Sequence, residues 1–145
     1  MFLGHYQHSF DDKNRLTVPA RFRELLAGGA FITRGFDKAL MVLTTTAFEQ
    51  LYTRINSMNL ADPMARHLRR MILGNAYQLE IDKSGRILIP QVLRTQVSLE
   101  SEAVLVGQGD FFEIWAPANW HQEEEFLQDP EASDQRYATL NLTTR

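Results

Sequence analysis

The sequence predicts an α+β fold made by internal duplication: two strand–turn–strand–helix units that share a β core, joined by a helical connector. Three observations predict it. Residues Asp11 to Arg23 read D-D-K-N-R-L-T-V-P-A-R-F-R and Asp82 to Arg94 read D-K-S-G-R-I-L-I-P-Q-V-L-R, so Asp11/Asp82, Arg15/Arg86, Pro19/Pro90 and Arg23/Arg94 coincide at an offset of 71. The apolar positions between them agree (Leu16/Ile87, Val18/Ile89, Phe22/Leu93), and Tyr6-Gln7 falls on Tyr77-Gln78. With a one-residue slip the match runs on through Gly35/Gly107, Val42/Ile114, Leu43/Trp115 and Phe48/Trp120. A period present twice marks a duplicated domain, not a solenoid. Halves of about 70 residues bury little core alone, which favours a shared one.

In chain order, residues 2–10 alternate as a first hairpin strand, with Leu3 and His5 on one face and Tyr6, His8 and Phe10 on the other. Asp11 can accept backbone N–H bonds of a tight turn, and Asn14 tolerates the left-handed backbone there. Asp82 and Gly85 repeat the pattern. Each D-x-x-(N/G)-R segment therefore reads as a hairpin turn, and residues 15–18 and 86–89 read as short strands. Pro19 and Pro90 then suit the first turn of a short helix, the first of which ends at Gly28-Gly29. Strands at 30–33 and 39–43 flank a second turn. Thr46 and Glu49 form a capping box for a helix to about Ser57. Asp62-Pro63 opens another helix, striped by Met64, Leu68, Met71 and Ile72, that stops at Gly74 and has no expected second copy. The second unit follows: strand 76–81, strand 86–89, helix 90–97, strands near 103–106 and 111–115, and a last helix 117–128 with Asn119 as candidate cap. The domains are accordingly 1–57, a connector 58–74, 75–128, and a polar, loosely ordered tail 129–145.

With 44% hydrophobic and 23% charged residues the composition is that of an ordinary soluble protein. The absence of cysteine excludes disulfides and thiolate metal sites and favours a cytoplasmic home. Neither a signal peptide nor a membrane span is expected. His5 and His8, three apart on a strand, face opposite sides, so no metal site and no cofactor are expected. The net charge of −3 conceals an uneven distribution: residues 1–122 carry 13 Lys/Arg and 12 Asp/Glu, whereas residues 123–145 carry 2 and 6. Local clusters, among them Lys13, Arg15, Arg21 and Arg23, set the field that phosphates meet.

The two turns carry the function. Lys13 and Arg15, then Lys83 and Arg86, are cations at loop tips, where function concentrates. Arginine's planar fork suits phosphate or guanine edges. Asp11 with Arg15, and Asp82 with Arg86, can instead form plain ion pairs across the turn, which are worth little. The doubled Asp-x-x-x-Arg, each followed by apolar-x-apolar-Pro and a further Arg, resembles the MraZ family of bacterial transcription regulators. The start Met-Phe-x-Gly, the length and the acidic end also fit. The resemblance implies swapped-hairpin halves of the AbrB type, binding of double-stranded DNA at short repeats upstream of the division and cell-wall gene cluster, nucleoid association, and ring-like homo-oligomers. It carries its characteristic residues onto Asp11, Arg15, Asp82 and Arg86. Asn14 departs from the family's more usual glycine. Two other classes compete: a hydrolase using Asp11, Asp82, His5 and His8, which lacks any nucleophile, phosphate-loop or metal motif, and a protein–protein scaffold without direct DNA reading. No small-molecule substrate is expected.

Overall fold

A computed structural model describes residues 1–131 and 133–142. Its elements are β1 (His5–Ser9), β2 (Arg15–Thr17), α1 (Ala20–Leu25), β3 (Ala30–Arg34), β4 (Leu40–Thr44), α2 (Thr45–Asn56) and α3 (Pro63–Ile72), then β5 (Tyr77–Leu79), β6 (Arg86–Leu88), α4 (Gln91–Gln96), β7 (Glu102–Gly107), β8 (Phe111–Trp115), α5 (Pro117–Leu127) and α6 (Ser133–Arg136). The fold is α+β, and the duplicated segments adopt the same structure.

The halves are not side by side but exchanged. One six-stranded sheet runs β1-β7-β8-β4-β3-β5, and a two-stranded ribbon pairs β2 with β6. Thus β1 pairs with β7 of the other half, and β5 with β3. The predicted hairpins shrink to a single bridge each, Phe10 with Leu16 and Ile81 with Ile87, before their strands part to different sheets. Reading the sheet order from either end gives the same sequence of equivalent strands, which is a pseudo-two-fold. Register confirms it: Leu40 opposes Ile114 and Val42 opposes Phe112 about a central Met41–Glu113 pair. In the ribbon, Arg15 opposes Leu88 and Thr17 opposes Arg86 about a central Leu16–Ile87 pair.

Alternation along the strands divides the molecule into layers. Leu40, Val42, Phe112 and Ile114 point into the main core together with Leu16, Val18, Phe22, Ile87, Ile89 and Leu93. Each fully buried side chain of this kind stabilises the fold by about 1.5–3 kcal/mol. The opposite face of the sheet carries the longer helices: Phe31 stacks on Phe48 of α2 at 4.4 Å, and Trp115 meets Trp120 of α5 at 5.6 Å. Tyr6 faces the core against Phe22, whereas His5 packs on Trp120 on the far side, so the two histidine-bearing faces diverge as expected.

Several local expectations are corrected. Pro19 and Pro90 stand one residue before their helices, with ψ of 141° and 136°, because each still belongs to the extended chain leaving the ribbon. Helix α2 is capped by Thr44, whose hydroxyl accepts from the Ala47 N–H at 3.1 Å, and not by Thr46. The end of β4 already supplies the extended backbone that a cap needs. Asn119 lies inside α5, behind the capping Ala116, and reaches the Val97 carbonyl at 3.5 Å. Asp62 and Pro63 open α3 as expected, but its buried face is Ala65 and Ile72, while Met64 is exposed.

The connector has a short counterpart. Helix α6 follows α5 as α3 follows α2, and an arginine closes the longer helix each time: Arg69 donates to the Ile55 carbonyl and Arg136 to that of Phe126. Within the expected tail 129–145, Ala132 and residues 143–145 lie outside the described residues.

Candidate nucleic-acid interface

Each turn is held by one carboxylate. Asp11 Oδ1 accepts the backbone N–H groups of Lys13 at 2.9 Å and Arg15 at 2.8 Å, and its Oδ2 accepts Nε of Arg15 at 2.8 Å. Asp82 repeats the pattern, with Ser84 N–H, Arg86 N–H and Arg86 Nε each at 2.9 Å. These donors, the arginine backbone N–H first, hold both carboxyls below the usual carboxylate range against the opposing effect of desolvation. Each turn then closes through a left-handed residue, Asn14 at φ 60° and Gly85 at φ 77°.

The ion-pair alternative and the cationic reading describe the same groups. Arg15 uses Nε on Asp11, and no hydrogen bond among the described residues engages its two terminal nitrogens. Arg86 Nε binds Asp82, and its Nη1 lies 3.6 Å from Asp11 Oδ2, so Asp11 touches both arginines. Each carboxylate thus holds its arginine's guanidinium through Nε, and both side chains remain partly exposed.

The ribbon brings Arg15 and Arg86 together and separates the lysines. Leu16 and Ile87 are fully buried, so Arg15, Thr17, Arg86 and Leu88 share the outer face. Strand rise of ~3.4 Å per residue sets the two arginines about two residues apart along the ribbon. Lys13 and Lys83 are exposed on turns at opposite ends of it. They are not equivalents: Lys13 matches Ser84, and Lys83 matches Asp12. What the sequence presented as two hairpin tips is one shared surface.

Two supporting residues carry no sign of this role in their local sequence. Arg23 donates Nε to the Val18 carbonyl at 3.2 Å and lies directly behind Gly85, where an added Cβ would come within 2.3 Å of its guanidinium. The Gly85 carbonyl accepts the Val18 N–H at 2.8 Å, so the second half's turn is seated on the first half. Arg94 is buried, covers the Phe10 ring at 4.1 Å and donates to the Glu100 carbonyl at 2.6 Å. Their only signal was coincidence in the repeat.

On the far face, Glu113 sits on the pseudo-axis opposite Met41. Burial raises its pKa, with Asp37 and Glu123 pushing the same way, while bonds from Trp115 Nε1 and Gln108, both at 3.0 Å, act against the rise.

A family model described as "MraZ protein, putative antitoxin-like" matches residues 1–71 and again 72–141, one match to each half of the exchanged fold. The chain belongs to the MraZ family. Among MraZ relatives, a protein of Thermomicrobium roseum named "Transcriptional regulator MraZ" is 43% identical over 142 residues, covering 97% of this chain and 99% of its own. A Roseiflexus protein of the same name is 46% identical over 120 residues, 83% of this chain and 84% of its own. A third, from Clavibacter michiganensis, is 43% identical over 122 residues, 84% and 85% of the two chains.

Proposed function

We propose that the chain is a sequence-specific DNA-binding transcriptional regulator whose β2–β6 ribbon enters the major groove. The observation that carries the reading is the pair of two-fold-related arginines, Arg15 and Arg86, fixed by Asp11 and Asp82 on one outward surface. The major groove admits a two-stranded ribbon, and a guanidinium fork matches the O6 and N7 acceptors of guanine. Lys13 and Lys83 then meet phosphates on either side, where they position without specifying. Asp11, Asn14, Asp82 and Gly85 shape the turns. The family resemblance directs the reading to short DNA repeats upstream of the division and cell-wall gene cluster, with the protein in the cytoplasm and on the nucleoid. Asp11 and Asp82, saturated with donors and held as carboxylates, are poorly suited to a hydrolase's proton transfers.

The DNA-binding unit in this proposal is a homo-oligomer larger than a dimer. Residues 45–75 carry four Lys/Arg and two Asp/Glu; residues 117–131 carry none and five. Both segments also expose apolar side chains, Tyr52, Leu60 and Met64 on the first and Phe126 and Leu127 on the second. Unlike ends favour heterologous contacts, which close into rings. Tandem ribbons on repeated sites then gain avidity of roughly 10²–10⁴-fold.

Band-shift titration on the DNA upstream of the chain's own gene, at two salt concentrations, tests the reading. Arg15→Ala combined with Arg86→Ala should weaken the shift strongly while light scattering and folding are unchanged. Parental affinity in that variant contradicts the proposal. Loss of assembly in it would favour the scaffold reading.

A further inference from the structure

Leu88 is the part of the ribbon that charge does not explain. It is 62% exposed, although Ile87 and Ile89 on either side are buried. It stands on the outer face directly opposite Arg15, and it shares a shallow recess with Lys13, Asn14 and Gln91. Its two-fold counterpart is Thr17, opposite Arg86, which carries a methyl group beside its hydroxyl. The ribbon's outward face is therefore a mixed surface, with one apolar or methyl-bearing side chain across from each guanidinium. A leucine held in water beside cations contributes little to the isolated fold, because its area stays wet.

In the major groove the one methyl group that an apolar side chain can cover is the C5-methyl of thymine; cytosine presents only a C5–H at that position, and the remaining edge groups are hydrogen-bond donors and acceptors. Directly opposed side chains on an antiparallel pair have Cβ atoms about 4.5–5.5 Å apart. Base pairs follow one another at about 3.4 Å. A guanidinium and a leucine so placed reach the same base pair or its neighbour. Resting on the reading of the ribbon as a groove reader, we propose that Leu88 is a base-specificity residue. It packs on the methyl group of a thymine next to the base pair that Arg15 contacts, and Thr17 makes the smaller equivalent contact beside Arg86.

The test uses the full chain and DNA it selects itself. Duplexes are enriched from a random pool by the parent protein. The best is remade with deoxyuridine, which lacks only the methyl group, at every thymine. The parent should bind the deoxyuridine duplex more weakly, by roughly fourfold for each contacted methyl lost. Leu88→Ala should bind the thymine duplex correspondingly more weakly and respond less to deoxyuridine. Any remaining response should fall further in Leu88→Ala with Thr17→Ser. Equal parental affinity for the two duplexes overturns the inference while leaving the groove reading intact. So does full deoxyuridine sensitivity in Leu88→Ala, or a change in its mass by light scattering with that sensitivity retained, which would make Leu88 a subunit contact. Failure to enrich any duplex overturns the groove reading itself, and this inference with it. Leu88 is exposed, so urea unfolding of Leu88→Ala should match the parent and remove misfolding as an explanation.

Discussion

Gly85→Ala tests whether the second turn is clamped by the first half. Two costs are expected. At φ 77° alanine enters the left-handed region, a cost of about 1–2 kcal/mol. The new Cβ would also lie 2.3 Å from Cζ and Nε of Arg23, well inside contact distance, so that guanidinium must swing away. Its bond to the Val18 carbonyl would then be lost, at about 0.5–1.5 kcal/mol. The sum is roughly 1.5–3.5 kcal/mol from strain and the lost bond together. Asn14→Ala at φ 60° changes no Cβ and should cost only the smaller difference between asparagine and alanine in the left-handed region. The assay is urea unfolding of the parent, Gly85→Ala, Arg23→Ala and the double variant. Because Arg23→Ala removes both the obstruction and the bond, the two substitutions should couple, with the double variant more stable than their sum predicts. Strict additivity would show that Arg23 does not back Gly85, and the account of the clamped turn would fail.

Other outcomes follow from the same geometry. Ile87→Ala, at the buried centre of the ribbon, should cost about 2–5 kcal/mol and leave one cooperative unfolding transition, since both halves share that core; separate transitions would argue for independent halves. Arg15→Ala and Arg86→Ala should each weaken specific DNA binding by about 1–3 kcal/mol, with stability lowered by no more than about 1 kcal/mol for the lost ion pair, by band shift and urea unfolding respectively. Asp11 and Asp82 have lowered pKa values, so their contribution to stability should be present above the ordinary value of 3.8 and fade as pH falls below it; the paired Asn variants should lose that acid dependence in thermal melts. Glu113 is shifted the other way, so its favourable contribution belongs to pH below 4.5 and is lost as pH rises through its folded value. Glu113→Gln should therefore melt higher than the parent at neutral pH, with the gap narrowing under acid. Met64→Asp, at an exposed position, should lower the mass seen by light scattering.

The duplication was legible because the same pattern recurs at a fixed offset of 71, and the paired turns and the buried alternation because each depends on residues close in sequence. Asp11 and Arg15 are four apart, and Leu16 and Val18 alternate within one strand. The exchange was legible only through the family resemblance, which implies swapped-hairpin halves, and not through the residues themselves. A strand–turn–strand pattern reads the same whether the strands pair with each other or with another half, and three-residue strands carry little register information. Arg23 read as one of a local cluster of cations because the turn it supports lies 62 positions away, at Gly85. Thr46 and Asn119 resembled caps by local pattern, yet the end of the preceding strand placed the caps at Thr44 and Ala116. Leu88 was hidden within the apolar run Ile87-Leu88-Ile89, where period two alone would have turned it outward.

In the proposed complex one exchanged ribbon presents Arg15 and Arg86 together to the major-groove edge of guanine. The most direct test of that placement is the affinity of the parent and the Arg15→Ala/Arg86→Ala variant for a selected duplex made with guanine or with 7-deazaguanine, which lacks the N7 acceptor. The parent should lose affinity on the 7-deazaguanine duplex, and the double variant should bind both duplexes equally weakly. A parent indifferent to the N7 acceptor, or a double variant that still discriminates, would contradict that placement.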